Sequence, residues 1–140
     1  HTAVPNCTTV ASDSSWPLDI AFAKGEAKLG SQAIHDAVKH WDSVRSAMAS
    51  GTEIGIVMVF AYPEGSSTSA SAQALARRRA EATRDLLLTL GVPADKMGYV
   101  GIDPAFHPGK IPNRTGENAA HAYNVAVEIR GHAGSATCVR

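Results

Sequence analysis

Two charged side chains stand out as the candidates for chemistry in this chain of 140 residues. One is Arg79, the last of Arg77-Arg78-Arg79. The other is Glu64, in the polar loop that precedes the arginines. A helix turns by about 100° per residue, so three successive arginines cannot share a direction. Leu75, Ala76 and Thr83 lie three or four residues from Arg79, and the small Ala80 follows it directly. That spacing puts Arg79 at the border of an apolar stripe and leaves Arg77 and Arg78 in water. A guanidinium at such a border must find an acceptor, because losing water unpaired is costly. Glu64, at the mouth of the preceding strand, is the acidic partner within expected reach.

Other constellations are missing from the sequence. The histidines are scattered, and His35 and His40 are five apart on one helix, a poor spacing for a shared face. There is no HExxH and no cysteine cluster, so no metal site is expected. No Gly-x-Ser-x-Gly elbow and no phosphate-binding Gly-Lys-Ser/Thr loop occurs. Ser66, Ser67, Ser69 and Ser71 read as a polar loop rather than as nucleophiles. With no nucleophile–base constellation, the chain is expected to be a binding module, with no enzymatic activity and no cofactor.

The elements that must hold Glu64 and Arg79 can be read from periodicity. Ile54–Tyr62 is apolar on both alternations, which suits a strand covered on both faces. Ala72, Leu75, Ala76, Ala80, Thr83, Leu86, Leu87 and Leu90 share one helical face, and Gly91 followed by Pro93 stops that helix. Upstream, Leu18–Phe22 alternates as a short strand. Ile34, Val38, Trp41, Val44, Arg45 and Met48 mark a first helix, with Ser31 as its cap and Gly51 at its end. Met97–Ile102 is a third strand, Asp103–Gly116 a loop, Glu117–Ala120 a helical turn, and Ala122–Arg130 a last, half-exposed strand. The order β-α-β-α-β-β implies an α+β domain over residues 18–130, a mixed four-stranded sheet with helices packed on one face. Residues 1–17 are expected as an irregular arm and residues 131–140 as a loose tail.

Lysine plus arginine balance aspartate plus glutamate at 13 each, so nothing draws the chain to nucleic acid or an anionic membrane. No apolar run approaches the roughly 20 residues of a membrane span. The cysteines, Cys7 and Cys138, sit near opposite ends, which excludes a CxxC site. They are either two unrelated buried thiols or a disulfide tying the two tails together. The disulfide is the preferred reading, and it would place the protein in an oxidising compartment.

The residues resemble the OmpA-like C-terminal domain of bacterial envelope proteins, which holds peptidoglycan non-covalently. Ala61-Tyr62-Pro63-Glu64 is similar to that family's Gly-His/Tyr-Thr-Asp. Leu75-Ala76-Arg77-Arg78-Arg79-Ala80 is similar to its Leu-Ser-x-x-Arg-Ala, at the family's eleven-residue step from Glu64. Gly91-Val92-Pro93 matches its turn, Asn124–Ile129 its closing strand, and Phe22–Leu29 its first strand-to-helix connection. The resemblance implies a site for the diaminopimelate end of a stem peptide. Arg79 would fork onto the ligand carboxylate and Glu64 would take its ammonium, with Tyr62 and Ser67 completing the set. It also implies a periplasmic or outer-membrane-associated protein that anchors the envelope to the wall, with other envelope proteins as further partners.

The chain departs from the pattern in specific places. The family's Asp is here Glu64, its supporting Asn is Ala72, and its closing arginines are Val125 and Ala126. The Asp after the first-strand Phe is Ala23, and a loop glycine is Ser67. These losses define the alternative, a relative that keeps the fold, has lost the wall, and serves as a structural or protein-interaction module of the envelope.

Overall fold

A computed structural model describes the backbone of residues 6–64, 67–106 and 124–139. Four strands and two helices follow one another: β1 (Asn6–Ile20), α1 (Ser31–Ala49), β2 (Thr52–Ala61), α2 (Ala70–Leu90), β3 (Met97–Ile102) and β4 (Val125–Val139). A single turn of 3₁₀ helix, Ala94–Lys96, leads into β3. The strands form one mixed sheet in the order β1-β4-β2-β3. β2 and β3 are parallel, joined through α2, while β4 runs antiparallel to both β1 and β2. The α+β order and the mixed four-stranded sheet are those expected from the sequence.

The two helices touch each other and pack on one side of the sheet. Between them and the strands lies the core: Ile20, Trp41, Val44, Ile54, Val57, Val59, Ala76, Ala80, Leu87, Val125, Val127 and Ile129. α2 buries Leu75, Ala76, Arg79, Ala80, Thr83 and Leu87, close to the stripe read from the sequence. Ser69 caps its N-terminus, accepting a hydrogen bond from the Ala72 amide at 3.2 Å. Gly91 closes its C-terminus in the left-handed conformation, φ 109°. The Gly91 and Val92 amides then satisfy the carbonyls of Leu88 and Leu87.

Several expectations are corrected. α1 rests on Ala33, Ala37, Trp41 and Val44, while Ile34 and Met48 point outward. Small alanines allow close approach to the sheet, and the larger residues fall off that line. Ser31 is the first helical residue, and the cap position is Gly30. β2 is buried on one face and half-buried on the other: Ile54, Val57, Val59 and Ala61 are buried, and Ile56, Met58 and Phe60 are half-buried on the other side. Both helices pack on the first face; on the second, the Tyr99 ring lies 5.5 Å from that of Phe60.

The largest differences are at the two ends. The expected arm is strand from Asn6 onward, and the expected loose tail is strand to Val139. The two segments pair with each other in one antiparallel ladder from Asn6↔Val139 to Ile20↔Val125. Each satisfies the other's backbone groups, so neither needs an apolar alternation of its own. The Glu117–Ala120 turn, most of the Asp103–Gly116 loop and the start of the Ala122–Arg130 strand lie outside the described residues.

Candidate functional site

Arg79 is fully buried, while Arg77 and Arg78 beside it are exposed. Its partners come from two segments that meet at one end of the sheet. The turn following β1 supplies two carbonyls: Arg79 Nε donates to Glu26 O at 2.7 Å, and Nη2 donates to Ala23 O at 3.0 Å. Nη2 also donates to Glu64 Oε1 at 2.5 Å, forming an ion pair with the segment that leaves β2. The Phe22 ring lies 5.2 Å from the guanidinium carbon, within cation–π range. Nη1, equally buried, has no partner among the described residues.

Glu64 faces the solvent side of this cluster and keeps 29% of its side-chain exposure. Its Oε1 also accepts the Gly25 amide at 3.2 Å. Gly25 sits in the left-handed region, φ 74°, which turns its N–H toward the carboxylate. The Arg79 hydrogen bond holds the Glu64 carboxyl below the usual glutamate range. Partial burial opposes that effect, and the Gly25 amide and the Arg79 and Lys24 charges add to it.

Of the four residues expected to form the site, the structure brings Glu64 and Arg79 into direct contact. Tyr62 lies buried close by in sequence, but its hydroxyl donates to Asp103 Oδ2 at 2.7 Å, toward the end of β3. Ser67 Oγ bonds Ser69 Oγ and accepts the Ser69 amide, both at 3.1 Å, so it shapes the approach to the α2 cap. Cys7 and Cys138 belong elsewhere: they are register partners of β1 and β4. Their side chains lie outside those described.

Sequence reasoning passed over the backbone half of the cluster. The Ala23 and Glu26 carbonyls and the Gly25 amide carry no side-chain signature, and only the glycine hints at the turn. It also passed over the bracing role of Asn124. Asn124 Oδ1 accepts the Phe22 amide at 2.7 Å. Its own amide donates to Ile20 O at 3.0 Å, and its carbonyl accepts the Tyr62 amide at 2.9 Å. One asparagine thus ties together the ends of β1 and β2 that carry the turn and Glu64. A separate hollow of about 390 Å³ lies over the irregularity in β2, lined by Asp13, Ser15, Gly55, Arg130 and His132 among others. It does not touch the Glu64–Arg79 cluster. No group of acidic, histidine and cysteine residues among those described could hold a metal.

No family model and no curated protein matches the chain. Solved structures do match its fold. The OmpA-like domain of FopA1 from Francisella tularensis is 18% identical with a TM-score of 0.58, covering 99% of this chain and 87% of that one. The peptidoglycan-associated lipoprotein of Burkholderia pseudomallei is 21% identical with a TM-score of 0.51, covering 81% and 88%. The periplasmic domain of Helicobacter pylori MotB is 13% identical with a TM-score of 0.52, covering 86% and 76%.

Proposed function

We propose that this chain, a divergent OmpA-like domain by its fold, is a peptidoglycan-binding module that anchors an envelope protein to the wall. The observation that carries this reading is the buried Arg79 guanidinium, with Nη1 unmatched among the described residues, behind a partly exposed carboxylate of opposite charge. An unmatched donor on a buried cation is costly, and an anionic ligand group would satisfy it. The two charges in one cluster suit a zwitterionic amino-acid head group better than a simple acid or amine. The diaminopimelate end of a stem peptide has that chemistry. The names of two fold relatives, a peptidoglycan-associated lipoprotein and a periplasmic domain, point to the same compartment.

Binding follows an exchange in this reading. Glu64, the exposed member of the pair, swings off Arg79. The ligand carboxylate takes Nη1 and Nη2 bidentately, as a fork donor favours. Glu64 then meets the ligand ammonium. Nε keeps its bond to Glu26 O, so the guanidinium stays oriented throughout. No covalent bond forms or breaks.

A second reading has its own support. Arg79 has no exposed surface at all, and two backbone carbonyls besides Glu64 already hold it. In that reading the pair is an internal clasp that locks the turn after β1 onto α2, and the domain serves a structural or protein-interaction role in the envelope. Titration with a soluble diaminopimelate-containing stem peptide, together with co-sedimentation on insoluble sacculi, separates the two. Wall binding requires saturable chemical-shift changes at Arg79 and Glu64 and pelleting with sacculi, with Glu64→Gln weakening both. No shift at millimolar peptide, with the protein left in the supernatant, leaves the clasp.

A further inference from the structure

We infer that Cys7 and Cys138 form a disulfide that staples the free end of a two-stranded ribbon. The chain holds only two cysteines, separated by nearly its whole length. The β1–β4 ladder makes them direct partners, Cys7↔Cys138, one pair in from its end at Asn6↔Val139. Direct partners in an antiparallel ladder have Cα atoms about 4.5 or 5.5 Å apart, depending on the type of pair. Both spacings fall within the roughly 4.4–6.8 Å that a disulfide spans. Partners of this kind also share a face of the sheet.

A second observation gives the bond a task. β2 pairs with β4 only as far as Ala133. Beyond it, among the described residues, the pairs from Ala11↔Gly134 to Asn6↔Val139 have β1 and β4 alone. The sequences there, Asn6-Cys-Thr-Thr-Val-Ala11 and Gly134-Ser-Ala-Thr-Cys-Val139, hold small residues and no large apolar one. A two-stranded ribbon of such residues is marginal in water, and a glycine within it, Gly134, weakens it further. A covalent cross-link near its tip would offset that weakness.

The oxidant is a protein disulfide of the thiol–disulfide exchange class. One cysteine thiolate attacks it, forming a mixed disulfide and releasing one of its thiolates. The second cysteine thiolate displaces the other. This chain gains an S–S bond, the oxidant's S–S bond is reduced, and the two protons lost by the cysteine thiols end on the oxidant's sulfurs, leaving it a dithiol. The inference therefore assigns the domain to an oxidising compartment, whether or not it binds peptidoglycan.

The test uses the chain secreted to an oxidising compartment, denatured without reductant and treated with a thiol-alkylating reagent. The expected result is no alkylation and a single proteolytic fragment pair containing both Cys7 and Cys138, separable only by reductant. Reduction lowers Tm by on the order of 10 °C. Cys7→Ser and Cys138→Ser each reproduce that drop, and neither responds to reductant. Should either variant fail to accumulate, the reduced wild-type chain supplies the same comparison. Two alkylated thiols in the secreted protein, or a cross-link found only between two chains, overturns the inference.

Discussion

Arg79 shows how much one side chain can organise. Its bonds reach the Glu26 and Ala23 carbonyls and the Glu64 carboxylate, so the turn after β1 and the segment after β2 are both held to α2. Arg79→Met keeps most of the apolar stem but leaves two carbonyls and a carboxylate without their donor. It is expected to lower unfolding free energy by about 3 kcal/mol, near the low end for breaking a buried pair because Glu64 is partly solvated. Denaturant midpoints at constant m-value check this. Glu64 also links stability to acid. Its folded pKa lies below its unfolded one, so the unfolded chain binds more protons in the interval between them. Stability is full above the ordinary glutamate pKa and is lost as pH falls toward the depressed value. Urea melts between about pH 6 and pH 3 should show this fall in wild type and a shallower one in Glu64→Gln. The sequence exposed Arg79 because helical geometry forces one of three arginines inward. It hid the carbonyls that receive Arg79, since backbone acceptors look alike in every residue type.

The elements themselves were legible where a side chain had a core to face. α2 could be read from periodicity because it packs one face inward. The outer halves of β1 and β4 could not, since their Thr, Ser, Ala and Gly residues give no clear apolar alternation. α1 was misread in register because its contact line uses Ala33 and Ala37 rather than Ile34. Two contacts between elements can be tested. A Cβ on Gly131, in the middle of β4, would meet the Glu53 carbonyl at 2.6 Å and the Trp16 ring at 3.2 Å. Gly131→Ala must therefore push β2 from β4 and is expected to cost about 2 kcal/mol, measurable by thermal or urea unfolding. His40 joins α1 to β1 through Nε2, which donates to Trp16 O at 2.9 Å, and its Nδ1 is buried without a partner among the described residues. Burial holds its pKa below the usual 6.5, against the raising effect of the Trp16 bond. The unfolded chain thus takes up a proton first, and stability declines as pH drops below that ordinary value. Replacing His40 with Phe should flatten the stability–pH slope between about pH 7 and pH 5, leaving the steeper acid limb of Glu64.

At the scale of the molecule, strand order matters most. β1 and β4, the first and last strands, lie side by side, with the ribbon tip at one end of their ladder and the Arg79 cluster beyond the other. The turn after Ile20, the segment after Ala61 and the Asn124 brace all gather at the cluster end. Among the described residues no helix is long and apolar enough to cross a membrane. A tension applied between tip and cluster would run lengthwise along the strands. The cross-strand hydrogen bonds would then resist in shear and share the force together, whereas a sideways pull would part them one rung at a time. Under the wall-anchoring reading proposed above, the arrangement suits a tether that must bear mechanical load while its grip at the far end stays soft and reversible.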